Sequence, residues 1–344
     1  MNFDELKKIL KEIGEPGFRY RQIKDAFCKQ AVLRFDEIRI IPKKLAVDLE
    51  GKISPLSFSL EKIVSAKNKL SYKALFRLDD GHLIESVLIS AISGTWSACL
   101  SSQVGCQLAC RFCATGQNGF KRNLTSEEIT DQVIFWKNFV KTNNLPGTFS
   151  HIVFMGMGEP FLNWTEVKAA LYRIISPDYF DFGARHISVS TSGIATGIKE
   201  LARDFPQVNL AFSLVFPDNK QRDEYMPVNR RFNLEDMRKA IEYYIEVTNR
   251  KVFLEYIMLA GVNDQRNHAD KICDFIDSIE NGAKLLHVNL ISYNSTNAEF
   301  KSSDAKTVKN FLNFLQRNHI SATIRKSLGE EIDGACGQLA GQAN

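Results

Sequence analysis

Residues Cys99 to Gly119 read CLSSQVGCQLACRFCATGQNG and set three cysteines, Cys106, Cys110 and Cys113, in a C-x3-C-x2-C spacing on one short loop. A cubane [4Fe-4S] cluster is normally held by four thiolates, so three leave one iron open to a ligand from outside. A closed tetrahedral zinc site needs four ligands, and Cys99, seven residues upstream, is the cysteine that could be recruited to complete it. Three unrelated buried thiols are the remaining reading. Phe112 directly before the last cysteine and Ala114-Thr115-Gly116 directly after it make the loop specific, and the open cluster is the reading carried forward.

The loop leaves a predicted strand at Ser97 to Ser101. Thr125 and Glu128 then form a capping box that opens a helix through Val140. Beyond it, strands at His151–Met155, His186–Thr191, Val208–Leu214, Val252–Met258, Leu285–Ile291 and Ala322–Arg325 alternate with amphipathic helices. Repeated βα units predict an α/β fold, a parallel sheet or barrel with its active site at the C-terminal ends of the strands.

Upstream the pattern differs. Phe3, Leu6, Leu10 and Ile13 recur at helical spacing, Glu15-Pro16-Gly17 breaks the run, a second helix follows, and Ile41-Pro42 is expected to close the helical part. The run Phe18-Arg19-Tyr20-Arg21-Gln22-Ile23-Lys24 interleaves aromatics with cations, which gives either stacking platforms and phosphate contacts for RNA or simply core positions. Tyr72–Leu78, the turn Asp79-Asp80-Gly81-His82 and Leu83–Ile89 read as a β-hairpin. Four units result: a helical RNA-binding accessory domain (1–60), a β-hairpin linker (61–91), the barrel (92–328) and a C-terminal loop (329–344).

The chain has 344 residues, 44% of them hydrophobic, enough for a sizeable core. Its start is neither a signal nor a transit peptide, and no apolar run approaches a membrane span. Seven cysteines without a secretion signal point to a reducing cytoplasm and to ligand or catalytic use. The net charge of +4 lies wholly in residues 1–90, which hold 17 basic and 13 acidic side chains, whereas the remainder holds 27 of each. A basic module beside a neutral body suits a polyanion held by one part and worked on by the other; an ordinary solvated surface is the plainer reading.

Other candidate residues stand at strand ends. Gly156-Met157-Gly158-Glu159-Pro160 follows a strand, with glycines expected to let a ligand approach and Glu159 able to accept from an ammonium group. Ser190-Thr191-Ser192-Gly193, Ser213 and Asn294 offer polar groups for a ribose or carboxylate, though each is as often a turn residue. Cys336, between glycines in Asp333-Gly334-Ala335-Cys336-Gly337, has room to react, whereas Cys28 and Cys273 read as inert buried thiols.

Taken as an ordered set, Ile84–Val87, Cys99–Gly105, the three-cysteine loop, Phe120–Thr125, Met155–Pro160, Ser190–Gly193, Tyr256–Met258, Gly261–Asp264 and Ala335–Gly341 resemble the RlmN family of dual-specificity RNA methyltransferases within the radical S-adenosylmethionine (SAM) enzymes. The Cfr methyltransferases are close kin. The resemblance spans nearly the whole chain and implies a partial (βα)6-type barrel, one [4Fe-4S] cluster on Cys106, Cys110 and Cys113, and two SAM consumed per methylation. It implies SAM contacts at Gly158, Glu159, Ser190, Ser213, Leu214, Val215 and Asn294. The expected substrates are an adenosine of 23S rRNA and the adenosine 3′ of the anticodon in some tRNAs, both methylated at carbon 2.

Carbon 2 is neither acidic enough for a side-chain base nor nucleophilic, so a radical route is required. On the resemblance, Cys336 takes a methyl group from one SAM, a 5′-deoxyadenosyl radical from a second activates that methyl for addition to the ring, Glu85 removes the ring proton, and Cys99 releases the product by forming a disulfide with Cys336. A reductant restores both thiols, and the protein is expected to be monomeric. The chain departs from the family at Val215, where a histidine is usual, at Ser295, often proline, and in ending at Asn344 without a longer tail. Two rivals remain: a Cfr-like methylation of carbon 8, against which Pro160 and Asp79-Asp80-Gly81 look more like RlmN, and a non-catalytic iron–sulfur or zinc RNA-binding protein.

Overall fold

The computed structural model describes residues 1–92, 94–296 and 299–341, so 342–344 of the expected C-terminal loop lie outside the described residues. Helices α1 (Phe3–Glu12), α2 (Phe18–Cys28) and α3 (Lys43–Glu50) come first. α1 buries Phe3, Leu6 and Leu10, the helical face legible in the sequence. Pro42 does not close the helical part as expected. It caps the start of α3, where its missing N–H goes unneeded and its fixed φ suits the first turn. In α2 the aromatic and cationic run divides: Ile23 is core, Tyr20 is half-buried, and Phe18 is 55% exposed with the Arg19 guanidinium 4.9 Å from its ring centre.

Strands β1 (Phe58–Ser65), β2 (Ser71–Leu78) and β3 (Leu83–Ile92) form an antiparallel ribbon, with β2 and β3 joined through the expected turn at Gly81. β1 escaped the sequence reading in part because a bulge between Leu60 and Lys62 breaks its alternation. β3 runs antiparallel to β4 (Thr95–Cys99), after which come β5 (Gln103–Gly105), α4 (Ala114–Gln117), β6 (Phe120–Asn123) and α5 (Ser126–Thr142), the last opened by the Thr125–Glu128 capping box. The alternating part follows as β7 (Thr148–Phe154), α6 (Trp164–Ile175), β8 (Ile187–Thr191), α7 (Ala195–Asp204), β9 (Asn209–Ser213), α8 (Asn219–Tyr225), α9 (Leu234–Thr248), β10 (Val252–Met258), α10 (Arg266–Asp277), α11 (Gly282–Leu285), β11 (Leu286–Ser292), α12 (Ala305–Arg317) and β12 (Ala322–Arg325).

Ten strands make one open sheet in the order β1-β2-β3-β4-β7-β8-β9-β10-β11-β12, parallel from β4 onward. This is the expected α/β partial barrel, extended by β12 on one edge and the ribbon on the other. Its middle strands carry apolar runs such as Leu210-Ala211-Phe212, all buried, as strands covered on both faces must be. Beneath β4, Trp136 of α5 donates to Ser86 Oγ at 2.8 Å and Ser86 donates to the Cys99 carbonyl at 2.8 Å, so helix, ribbon and first parallel strand share one buried hydrogen-bond chain. α5 also carries the N-terminal helices: Lys137 Nζ donates to Cys28 O at 3.0 Å and Asn138 Nδ2 to Ala31 O at 2.7 Å. Among the described residues no helix is long and apolar enough to cross a membrane.

Candidate active site

The three-cysteine loop is pinched shut at its base. β5 and β6 pair antiparallel, and Cys106 N donates to Gly119 O at 3.0 Å. Inside the loop, Cys113 N donates to Cys110 O at 3.1 Å and Cys113 caps α4. All three thiols face one cavity at the C-terminal end of the parallel strands, with Cys110 buried and Cys106 and Cys113 half-buried. Burial pushes the Cys106 thiol up to about 12 and Cys110 well above its ordinary value, so as isolated groups they stay protonated at neutral pH. Iron reverses that preference, because a bound cation favours the thiolate.

Three soft thiols and a cavity beside them fit an open [4Fe-4S] cluster. Among the described residues no three His, Cys, Asp or Glu side chains are grouped as one metal ion requires; a cluster places each cysteine on a separate iron. Cys99, the candidate fourth zinc ligand, lines a neighbouring cavity with Cys336 instead.

Across the first cavity lie Gly158, Glu159, Ser190 and Ser213, brought together from three strand ends. Glu159 is buried and accepts from Ser192 N at 2.8 Å and Phe161 N at 3.3 Å, while its own N–H donates to Gln103 Oε1 at 2.8 Å. Burial raises its carboxyl to about 7, which leaves it ready to ionise for an ammonium partner. The two glycines of this motif line the cavity, and each also has a packing reason. A Cβ at Gly156 would meet Leu100 O at 2.6 Å, and one at Gly158 would meet Gln103 Cβ at 2.5 Å, so they admit the β4–β5 segment as well.

The turn after β9 departs further. Ser213 and Val215 line the cavity, but Leu214 is fully buried and its carbonyl is taken by Arg222. Arg222, itself buried, also donates to Ser213 O at 3.1 Å and Ser192 O at 2.8 Å, tying two strand ends together. Val215 has φ +47°, a strained setting for a β-branched residue, and Asn263 Nδ2 holds its carbonyl at 2.8 Å. Asn294 is absent from the cavity lining; it donates to Cys336 O at 3.1 Å, and its buried Oδ1 has no partner among the described residues.

Cys336 opens onto both cavities, the one with the three thiols and the one with Cys99. Cys336 is exposed as a residue, yet surrounding protein strips hydration from its thiol and pushes it up to about 11; burial pushes Cys99 up to about 12. Arg325 lines both cavities and opposes these rises with its charge, while pairing with Glu255 at 3.3 Å. Neither Arg325 nor Glu255 was singled out from the sequence, although Arg325 ends a predicted strand, where a charged residue signals a site. Glu85 lines neither of these cavities. Its carboxylate takes Lys73 Nζ at 2.7 Å, Ala340 N at 2.7 Å and Gly341 N at 3.0 Å, so it holds the loop that carries Cys336.

A strand-end site facing three clustered thiols defines a radical SAM enzyme, and the Radical SAM superfamily model matches residues 100–272. The chain is 41% identical over 339 residues to the Ribosomal RNA large subunit methyltransferase Cfr of Clostridium botulinum, covering 98% of this chain and 96% of that protein. The Cfr proteins of Bacillus velezensis and Staphylococcus aureus are 39% and 36% identical, again covering 98% of this chain and 95% and 96% of theirs. Among solved structures, a radical SAM methyltransferase from Sphaerobacter thermophilus superposes with a TM-score of 0.92 at 35% identity, covering 99% of this chain and 98% of that one. The chain therefore belongs to the radical SAM superfamily and, within it, to the family of the Cfr methyltransferases, the kin expected from its motifs.

Proposed function

We propose that the chain methylates an adenine of 23S rRNA at carbon 8, using Cys336 as the methyl carrier. The observation that carries the methyl-carrier role is the position of Cys336 between the cavity of the three thiols and the cavity of Cys99, which serves methylation at either carbon. The first cavity takes SAM, with Glu159 for its ammonium group and Ser190 and Ser213 for its polar rim. The sulfonium is a cation, and with Arg325 it draws the Cys336 thiol toward thiolate, which displaces the methyl and leaves S-adenosylhomocysteine. When bound, the cluster supplies the electron that cleaves a second SAM and so activates the methyl on Cys336.

The base enters from the second cavity, whose aliphatic walls include Val87, Val153 and Ile291. After the carbon–carbon bond forms, the adduct must lose its unpaired electron, for which the cluster would be the acceptor, and its ring proton; the resemblance assigns that proton to Glu85, which lines neither cavity and touches the Cys336 loop at Ala340. Cys99 then attacks the Cys336 sulfur, releasing methylated RNA and leaving a disulfide that an external dithiol reduces. The cycle needs a single copy of the chain.

The Cfr relatives are named as methyltransferases of large-subunit ribosomal RNA, which supports the rRNA substrate, and carbon 8 rests on the resemblance to the Cfr methyltransferases. The two marks favouring carbon 2, with a tRNA as second substrate, have structural reasons here. Asp80 at the hairpin tip pairs with Arg122, which also grips Glu128 through two 2.8 Å contacts, and Pro160 starts the helical turn that Glu159 caps. Mass spectrometry of nucleosides from 23S rRNA and tRNA of a strain expressing the chain tests the assignment. It should show 8-methyladenosine in rRNA only; 2-methyladenosine, above all in tRNA, would return the reading to carbon 2.

RNA is held in part by the basic N-terminal helices. Phe18 and Arg21 are exposed on α2, so Phe18→Ala with Arg21→Gln should weaken RNA binding about tenfold, as the loss of one stacked base and one phosphate contact implies. The salt dependence should fall in step, with SAM cleavage unchanged. Filter binding across a salt series checks this, and unaltered affinity would place the grip elsewhere.

A further inference from the structure

The loop that presents Cys336 has little structure of its own. Within residues 333–341 one turn closes, with Gln338 N donating to Ala335 O at 3.1 Å and Ala335 N to Gln338 Oε1 at 3.1 Å, and Asp333, Gly337 and Gly341 all have positive φ. Its position is imposed from outside, from three directions. The exit of the three-cysteine loop supplies Ala114 N to Gly337 O at 2.8 Å and Thr115 Oγ1 to Leu339 O at 2.6 Å. Asn294 holds the Cys336 carbonyl itself. The third direction is the antiparallel ribbon, and its contacts are the charged ones.

Lys73 on β2 and Glu85 on β3 form an ion pair at 2.7 Å, with side chains 16% and 3% exposed. Each member of the pair also takes hold of one end of the loop. Lys73 Nζ donates to Asp333 O at 3.2 Å, and Glu85 Oε2 accepts from Ala340 N at 2.7 Å and Gly341 N at 3.0 Å. Hydrogen bonds to ionised groups are shorter and about twice as strong as neutral ones, and a pair this well covered is little screened by salt.

We propose that Lys73 is a positioning residue for Cys336: with Glu85 it clamps both ends of the 333–341 loop and so holds the thiol at the boundary of the two cavities. Removing the lysine charge frees the Asp333 end and leaves the Glu85 carboxylate buried with two backbone donors as partners, a state costly enough to draw in water and loosen the Gly341 end as well. The cluster thiols and the SAM cavity are untouched, because Lys73 lines neither that cavity nor the one with Cys99. The inference rests on Cys336 being the methyl carrier only in its second readout below.

The test uses the full chain with its cluster reconstituted, as wild type, Lys73→Met, Lys73→Arg and, as a control on the same strand, Arg77→Met, which breaks an ion pair with Glu61 instead. Alkylation of Cys336 by iodoacetamide, followed on its peptide by mass spectrometry, should quicken about tenfold in Lys73→Met, as the loss of a charge-assisted hydrogen bond implies. Single-turnover transfer of labelled methyl from SAM to Cys336, without RNA, should slow by a similar factor with SAM affinity unchanged. Lys73→Arg should recover most of both, and Arg77→Met should match wild type.

Wild-type alkylation and methyl transfer in Lys73→Met would overturn the clamp. Should that variant lose iron or helical signal, Lys73→Gln takes its place, and a wild-type alkylation rate there overturns the proposal equally. A wild-type chain that never methylates Cys336 would refute the proposed function, while the alkylation difference would still decide the clamp.

Discussion

Alanine at any one of Cys106, Cys110 or Cys113 is expected to abolish the brown [4Fe-4S] absorbance or to leave a cluster that no longer cleaves SAM. The three thiols line one cavity; Cys99 opens on the second, and Cys336, which opens on both, sits on a loop held by Asn294, Thr115 and Glu85. The fold should survive, since the loop is closed by β5–β6 pairing and not by the cysteines. Iron content, visible absorbance and 5′-deoxyadenosine formation measure the loss, with circular dichroism as the check on folding. A triple alanine variant that still made 5′-deoxyadenosine would end the radical SAM reading of this site.

Cys336→Ala and Cys99→Ala should fail at different moments. On the proposed function, removing Cys336 removes the methyl carrier, so no covalent RNA adduct should form at all. Without Cys99, the carbon–carbon bond forms and then persists, because the sulfur that should displace Cys336 is gone. The purified Cys99→Ala protein should therefore carry nuclease-sensitive RNA that survives denaturing electrophoresis, joined to Cys336 through a methylene bridge. Both cysteines line the second cavity, which gives the proposed exchange one shared space. Normal turnover by Cys99→Ala, or cross-linking by Cys336→Ala, would reverse these assignments whatever carbon is methylated.

The parallel strands, the capping box at Thr125–Glu128, the hairpin turn and the three-cysteine loop were legible because each is written locally, in alternation, in a cap or in a spacing. What could not be read is what depends on distant partners. Gly156 and Gly158 look like a ligand-binding turn, and nothing local shows that Leu100 and Gln103 also pack against them. Leu214 sits between two cavity residues in sequence but faces the core, because the left-handed Val215 beside it and the buried Arg222 turn the chain. Arg222 is an unremarked residue of a charged helix, and nothing local shows that it ties three strand-end carbonyls. Glu85 matched a family motif, and its motif is silent about Lys73, Ala340 and Gly341.

The attachment of the N-terminal helices to α5 has a consequence for substrate choice. Lys137 and Asn138 fasten the end of α2 and the turn after it to a helix that begins seven residues beyond the three-cysteine loop, so the distance from α2 to the catalytic cavities is fixed by packed structure. On the proposed function, an RNA gripped at Phe18 and Arg21 would be measured against that distance as against a ruler. The adenine presented to Cys336 would then be the one whose fold places it at the right reach, chosen by the shape of the RNA around it more than by its sequence.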